Sequence, residues 1–513
     1  MATAIKKGSA LQFYKELTSP NNITYKQPIG LYIGGEFVAS KSGKVFDVIS
    51  PSTEERITQV YEAGDADVDS AVIAAEKGFA KWSEMTPYER GCALIKVAEK
   101  IEENSELFAT VETWDNGKAL SMARDDVKLV AQTFRYYAGW CDKISGKVVE
   151  IDNDTFNYIR REPIGVCGAI IPWNFPLAML SWKIAPALAA GNSMILKSAE
   201  STPLTALLFA DMLREVPEIP KGTINILSGY GAAGGAIVAH PGIKKIAFTG
   251  STATGRKILK GAADSNLKKV TLELGGKSPN IVFNDAKLDE AVESVLFGIF
   301  YNQGEVCCAG TRLFVQEGIY DTFLEMLKKR ALELKVGDPF DPTVSYGAQT
   351  NKLQFDKVLE YIAQGKKEGK VLTGGSRIGE KGFYIEPTIF TDVDRNAVVA
   401  TEEIFGPVLS VIKFKDADEA LKFANESDYG LAAGVHTTNI EKALYVAQHV
   451  KPGTVWIYPY HAIHPPLPFG CYMLSGNRRA FAAEVLTNYL ETKAVCIAGI
   501  SNRLGAPKPN LAC

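Results

Sequence analysis

Between residues 163 and 272 the chain alternates short, almost wholly apolar runs with stretches of helical character. The runs are Val166-Cys167-Gly168-Ala169-Ile170-Ile171, Ser193-Met194-Ile195-Leu196, Ile224-Asn225-Ile226-Leu227 and Lys245-Ile246-Ala247-Phe248. A strand that is apolar at nearly every position is buried on both faces, as happens in a parallel sheet covered by crossover helices. The βα repetition therefore predicts a doubly wound nucleotide-binding domain. A second series, Asn280-Ile281-Val282-Phe283, Thr311-Arg312-Leu313-Phe314-Val315 and Val408-Leu409-Ser410-Val411-Ile412, predicts another α/β unit. The expected fold class is α/β with two such domains. Ahead of them, Leu31-Tyr32-Ile33 and Glu36-Phe37-Val38 flank Gly34-Gly35 as a hairpin would. From Asp65, read as the cap, Val68, Val72, Ala75, Phe79 and Trp82 form the core stripe of an amphipathic helix.

At 513 residues the chain exceeds what one hydrophobic core supports, so two or more units are expected. Its formal charge of -3 offers no basic field for nucleic acid or anionic lipid, so the expected partner is a small molecule. Eight cysteines without a Cys-x-x-Cys pair argue against a disulfide scaffold or structural zinc, and point to reduced intracellular thiols. No apolar run approaches the roughly 20 residues needed to cross a bilayer, so no membrane partner is expected. Lys6, Lys7 and Lys15 stand against Glu16 near the start, but without arginine this favours cytoplasm and leaves a mitochondrial presequence as the alternative. From Gly499 the chain reads as an irregular tail with Pro507 and Pro509.

Two segments carry candidate chemistry. Asn302-Gln303-Gly304-Glu305-Val306-Cys307-Cys308-Ala309-Gly310 offers a thiol nucleophile, and Glu273-Leu274-Gly275-Gly276-Lys277 a carboxylate base, each beside glycines that allow close approach. Taken singly, such a cysteine is more often a small buried hydrophobe and such a glutamate a solvated group. Gly229-Tyr230-Gly231-Ala232-Ala233-Gly234 matches a dinucleotide fingerprint, weakly, since the chain has 45 glycines and the match comes late in the sheet. Phe248-Thr249-Gly250-Ser251-Thr252 is a rival phosphate site, with a plain helix cap as the other reading. Pro172-Trp173-Asn174-Phe175-Pro176 places an amide donor at a strand end, and Lys197-Ser198-Ala199-Glu200 ends another strand as a ribose-binding acid would.

Together with Glu402-Glu403-Ile404-Phe405-Gly406-Pro407-Val408, these motifs resemble the aldehyde dehydrogenase superfamily over about 28–498, specifically its NAD(P)-dependent, non-phosphorylating members. The texture is most similar to the general aldehyde enzymes of fungi and animals. The resemblance implies NAD-dependent oxidation of a small-molecule aldehyde to the acid. It implies Cys307 as nucleophile with Cys308 an unreactive neighbour, Glu273 as the base for hydrolytic water, and Asn174 as oxyanion donor. For the cofactor it implies Ile170, Ile171, Pro172, Trp173 and Asn174, then Lys197 and Glu200 at the adenosine ribose. Gly231, Gly250 and Ser251 fall in the adenine and phosphate region, Gln354 and Lys357 at ribose, and Glu403 and Phe405 on the nicotinamide side. Phe175, Met179, Trp182, Tyr301 and Phe469 match funnel positions for substrate. No metal is implied; His461 and His464 read as funnel rim. A free thiol with a pKa of about 8.5 is only a few per cent ionised at neutral pH, so the site or the bound cofactor is expected to help Cys307.

The same resemblance divides the chain into a cofactor-binding domain at 28–140 and 163–272 and a catalytic domain at 273–480. A small β element for oligomerisation is expected at 141–162 and 481–498, with an N-terminal extension at 1–27 and a tail at 499–513. The pairing strand, read as Tyr489 to Cys496, implies a homodimer or homotetramer. Two departures stand out: Cys471 where the family has glycine, and Ala480 where it has a carboxylate. They leave open a catalytically silent structural relative. A CoA-acylating semialdehyde dehydrogenase is the other alternative, which the hydrolytic base Glu273 disfavours.

Overall fold

The computed structural model describes residues 10–152 and 154–499. The segment Met1–Lys7 and the tail from Ser501 onward, Pro507 and Pro509 included, lie outside the described residues.

Five parallel strands form the first sheet, in the order Lys269–Glu273, Lys245–Thr249, Val166–Ile170, Ser193–Lys197, Ile224–Leu227. The hairpin Leu31–Ile33 and Glu36–Val38 adds two antiparallel strands at one edge, turning on Gly34 and Gly35, both at positive φ. All four apolar runs are strands, and every residue of each is buried. The chain starts in the middle strand, Val166–Ile170, winds outward one way, then returns to its other side at Lys245–Thr249. That reversal leaves a crevice at the C-terminal strand ends, where ligands bind in open α/β sheets.

The second sheet runs Lys370–Thr373, Thr388–Thr391, Val408–Phe414, Arg312–Gln316, Pro279–Val282, Ala432–His436, Thr454–Ile457, parallel except at the first edge. A buried cluster including Ile281, Phe314, Val358, Phe390 and Val435 forms its core.

The helix Asp65–Glu84 carries the expected stripe, with Val68, Val72, Ala75 and Trp82 buried. Its cap is Gly64, not Asp65; Asp67 supplies the carboxylate, accepting from Gly64 N–H at 2.9 Å, because the third helical position reaches back to the cap. Within the segment read as an N-terminal extension, Tyr14–Thr18 and Thr24–Pro28 form an antiparallel hairpin, and Gln27 is fully buried with Nε2 donating to Leu204 O at 3.3 Å. That part of 1–27 belongs to the packed domain. Leu490–Ala498 pairs over nine residues with Thr155–Pro163 of the same chain, and Lys147–Val149 completes a three-stranded sheet. The strand begins one residue later than read from the sequence.

Candidate active site

Cys307 follows the helix Leu288–Phe300 and a tight 3-10 turn, Tyr301–Gly304. Asn302, Gln303 and Gly304 are all in the left-handed region, at φ 50, 48 and 74. Such a run stores strain that only firm surroundings hold. Here they are supplied by buried Glu305, whose carboxylate accepts from Thr350 Oγ1 at 2.7 Å, Thr350 N at 3.0 Å and Gln303 Nε2 at 3.0 Å. Burial pushes Glu305 up to about 8. A Cβ on Gly304 would overlap the Gly406 carbonyl, so glycine is required for close approach as well as for φ.

Glu273 ends the strand Lys269–Glu273. Gly275 and Gly276 after it bring the backbone against Glu403 and the Cys307 carbonyl; a side chain at either would collide. Gly276 N–H donates to Glu403 Oε1 at 3.0 Å. Burial pushes Glu273 up to about 8, against the pull of its neighbour Lys183, and drives the buried Lys183 ammonium downward. Cys307 is half-buried, and the adjacent Cys308 thiol together with burial holds its pKa well above the usual thiol range. Of the two sources of help expected for ionising Cys307, the surrounding protein groups act against the thiolate, which leaves the bound cofactor as the expected aid.

Asn174 lies in the loop between the middle strand and the helix Pro176–Ala189. One Nδ2 hydrogen goes to Glu305 O at 2.8 Å, which aims the amide along the Cys307 loop and leaves the second hydrogen. Its backbone carbonyl accepts from Lys118 Nζ at 3.1 Å and from Asn302 Nδ2 at 3.1 Å. Lys118 is fully buried and pairs with Asp126 at 2.7 Å. A buried charge network thus braces the Asn174 loop.

Three cavities lie along this region. One of 660 Å³ occupies the crevice of the first sheet and is lined by Ile170, Ile171, Pro172, Trp173, Lys197 and Glu200 on one side. Gly231, Gly250 and Ser251 line the other. Ser251 does cap the helix Thr252–Ser265, accepting from Thr254 N, so the helix-cap reading holds, and the residue also borders the cavity. Gly231 begins the helix Gly231–Ala239, which has no side-chain cap. A second cavity, of 220 Å³, is lined by Asn174, Cys307, Gln354, Lys357, Glu403 and Phe405. Gln354 Nε2 donates to Phe405 O at 2.6 Å and Lys357 Nζ to Glu403 O at 3.2 Å, so both also brace the loop that presents Glu403 and Phe405. The third, of 370 Å³, is walled by Phe175, Met179, Trp182, Tyr301 and Phe469, with Cys307 at its inner end. Every cofactor and substrate position read from the sequence therefore lines a cavity. Cys307 borders the second and third; Glu273 borders none of the three.

His461 and His464 line the third cavity. His461 Nε2 faces Gly298 O at 3.2 Å and Nδ1 faces the Cys308 thiol at 3.6 Å, so its nitrogens are engaged by the protein. The seven described cysteines are free. Sequence reasoning gave no role to Lys183, Lys118 and Glu305. Lys183 could have been found as the one charge in the apolar helix Pro176–Ala189. Glu305 stands inside the Cys307 motif, which says nothing of its bracing role, and Lys118 carries no local signal.

A cysteine at the junction of a nucleotide crevice and an aromatic funnel, with a buried carboxyl close by, defines a thiol-dependent oxidoreductase of the nucleotide-binding α/β class. The match to a family model is specific: residues 37–495 fit the aldehyde dehydrogenase family, and the chain belongs to it. It is 53% identical to an aldehyde dehydrogenase of Davidiella tassiana, across 94% of this chain and 98% of that protein. It is 49% identical to human retinal dehydrogenase 2, across 91% of each. The NAD+ complex of aldehyde dehydrogenase from Bacillus cereus superposes with a TM-score of 0.90 at 46% identity, covering 92% of this chain and 96% of that one. The chain is an aldehyde dehydrogenase.

Proposed function

We propose that this enzyme oxidises aldehydes to carboxylic acids with NAD, using Cys307 as nucleophile, Asn174 as oxyanion donor and Glu273 as the base for hydrolysis. The observation that carries the reading is the position of Cys307, shared between the cofactor-side cavity and the funnel. The crevice fits a dinucleotide. Gly231 and Gly235 have open space beside them, the N–H groups of the helix Gly231–Ala239 lack a side-chain cap, and the buried Thr249 hydroxyl has no partner among the described residues. Lys197 and Glu200 would hold the adenosine ribose, and Glu403 the nicotinamide side.

In the funnel, Phe175 and Tyr301 stack with centroids 6.2 Å apart, and Trp182 meets Phe469 edge-on at 5.7 Å. These walls exclude water and select aliphatic or aryl aldehydes over charged semialdehydes. Cys307, once ionised, attacks the carbonyl carbon, and the alkoxide that forms is met by the free N–H of Asn174 and the Cys307 backbone N–H. Loss of one such donor typically costs about 2.7–4 kcal/mol of barrier. Bound NAD would supply a hydride acceptor for the thiohemiacetal held on Cys307, whose oxidation leaves a thioester there. Glu273 then takes a proton from water, the resulting hydroxide attacks the thioester carbon, and the C–S bond breaks to return the Cys307 thiolate and the acid. A hydrolytic base is superfluous to CoA transfer, and the intact catalytic groups disfavour a silent structural role.

The enzyme is further read as cytoplasmic, supported by its free thiols, and as a homo-oligomer joined through the three-stranded sheet. Among the described residues no helix is long and apolar enough to cross a membrane. Enrichment of the tagged protein in a mitochondrial fraction would overturn the cytoplasmic reading. For the chemistry, Cys307→Ala is expected to abolish aldehyde oxidation while NAD binding by calorimetry persists, and Cys308→Ala to keep most activity. An adduct of a reactive aldehyde analogue on Cys308 alone, read by mass spectrometry, would overturn the assignment.

A further inference from the structure

Cys471 stands where its thiol meets the candidate base. Its Sγ lies 3.5 Å from Glu273 Oε2, 3.6 Å from Leu272 O and 3.5 Å from Arg478 O. The side chain is 5% exposed and cannot retreat into solvent. The loop that carries it is fastened to the strand of the base: Leu274 N–H donates to Ser475 O at 2.8 Å, Asn477 N–H to Leu272 O at 3.2 Å, and Leu272 N–H to Asn477 Oδ1 at 2.9 Å. Gly476 completes the fit, since a Cβ there would overlap both Leu272 O and Cys471 Sγ. The other oxygen of Glu273, Oε1, is buried without a hydrogen-bond partner among the described residues. Among the described residues the thiol is thus the one side-chain donor on this carboxyl.

We propose that Cys471 is a positioning residue for the base, its thiol donating to Glu273 Oε2, seating the carboxyl beside the strand and strengthening its ionised form. The inference rests on the reading of Glu273 as the base of thioester hydrolysis. The charged and titratable groups that face Glu273 are Lys183 from the helix Pro176–Ala189, Cys307 from its loop, and Cys471 and Arg479 from the fastened loop. Burial is the largest influence on Glu273 and favours the acid; Lys183, the Cys471 hydrogen bond and Arg479 oppose it. Burial also pushes the Cys471 thiol upward, beyond the range in which it ionises, so it remains the donor. A hydrogen bond to the charged form of a carboxyl favours that form. Removing it must move the ionisation of Glu273 to higher pH.

The test follows thioester hydrolysis against pH by rapid mixing, with the preceding burst of reduced cofactor as internal reference. The pH midpoint of hydrolysis is expected to rise by about one unit in Cys471→Ala, the size of one lost hydrogen bond to a charged group. In Cys471→Ser a hydroxyl donor replaces the thiol, and the midpoint should stay near that of the parent. A second readout uses the cofactor-free enzyme: infrared titration of the buried carboxyl band that disappears in Glu273→Gln should show the same displacement. Coincident midpoints in all three proteins, or equal displacement in Ala and Ser, would overturn the proposal. Lost hydrolysis in Glu273→Gln with an unmoved midpoint in Cys471→Ala removes the Cys471 assignment alone. Unimpaired hydrolysis in Glu273→Gln removes both readings.

Discussion

The resting state of the two catalytic groups is a matter of proton affinity. The Cys308 thiol and burial both raise the proton affinity of Cys307, and at Glu273 burial outweighs the pull of Lys183, so both groups favour their protonated forms. Hydrolysis needs the carboxylate, and the carboxyl is pushed up to about 8. The hydrolytic rate is therefore expected to climb with pH through about 8 and level off above it; a flat profile from pH 6 to 9 would contradict that ordering. Glu273→Gln removes the base without touching attack or hydride transfer, and a general base contributes about 10²–10⁴-fold. Stopped-flow absorbance should show a normal burst of reduced cofactor followed by a steady phase slowed on that scale. Equal slowing of both phases would assign Glu273 a different duty. At the far end of the crevice, Glu200 lies 3.4 Å from Lys197 and is partly exposed, well placed to accept from ribose hydroxyls and to repel a 2′-phosphate. Preference for NAD over NADP should narrow in Glu200→Gln, read as the ratio of kcat/KM values, and an unchanged ratio would place selectivity elsewhere.

The turn Tyr301–Gly304 shows how an element pays for the site it builds. Three successive left-handed residues are tolerable because Glu305, Thr350 and Gln303 tie the loop from inside and Gly406 packs against it. Gly304→Ala adds left-handed strain of about 1–2 kcal/mol and overpacking of about 1–3 kcal/mol. A thermal-unfolding midpoint several degrees lower, with activity falling further than stability, is the expected outcome. A variant as stable and active as the parent would mean that the loop relaxes freely. The turn with Cys471 is held by Arg479 as well as by its bonds to the strand of Glu273. Arg479 Nη1 donates to Cys471 O at 2.9 Å, and its guanidinium lies 4.8 Å from the Tyr472 ring centroid. Its partners are thus a backbone carbonyl and a ring.

At the scale of the molecule, the three-stranded sheet of Lys147–Val149, Thr155–Pro163 and Leu490–Ala498 is separate from the two large sheets and leaves two strand edges unpaired among the described residues. It also exposes Val148, Val149, Ile151 and Ile497. Unpaired edges with exposed apolar side chains are surfaces that proteins cover. Association through this sheet predicts that Val148→Asp combined with Ile497→Asp lowers the mass measured by light scattering to that of one chain. A dimer or tetramer mass retained by the double variant would place the interface elsewhere.

Local pattern alone carried much of this protein. Runs such as Ile224–Leu227 announce a strand buried on both faces because burial is written into composition at each position, and a parallel sheet with crossover helices follows. The motifs around Cys307, Glu273, Asn174 and Glu200 were visible for the same reason, since each is a short contiguous segment. The cap of the helix Asp65–Glu84 was misplaced by one residue, because Gly64 offers no side chain to read and the helix is closed by Asp67 from within. What only the tertiary structure decided lies in pairings across the chain. Cys471 and Glu273 are 198 residues apart, and Asn174 and Glu305 are 131. The order of the strands, which opens the crevice between Val166–Ile170 and Lys245–Thr249, is likewise absent from any local window. Proton affinities depend on these neighbours and on desolvation, and both come into existence only when distant segments close around a group and remove its water.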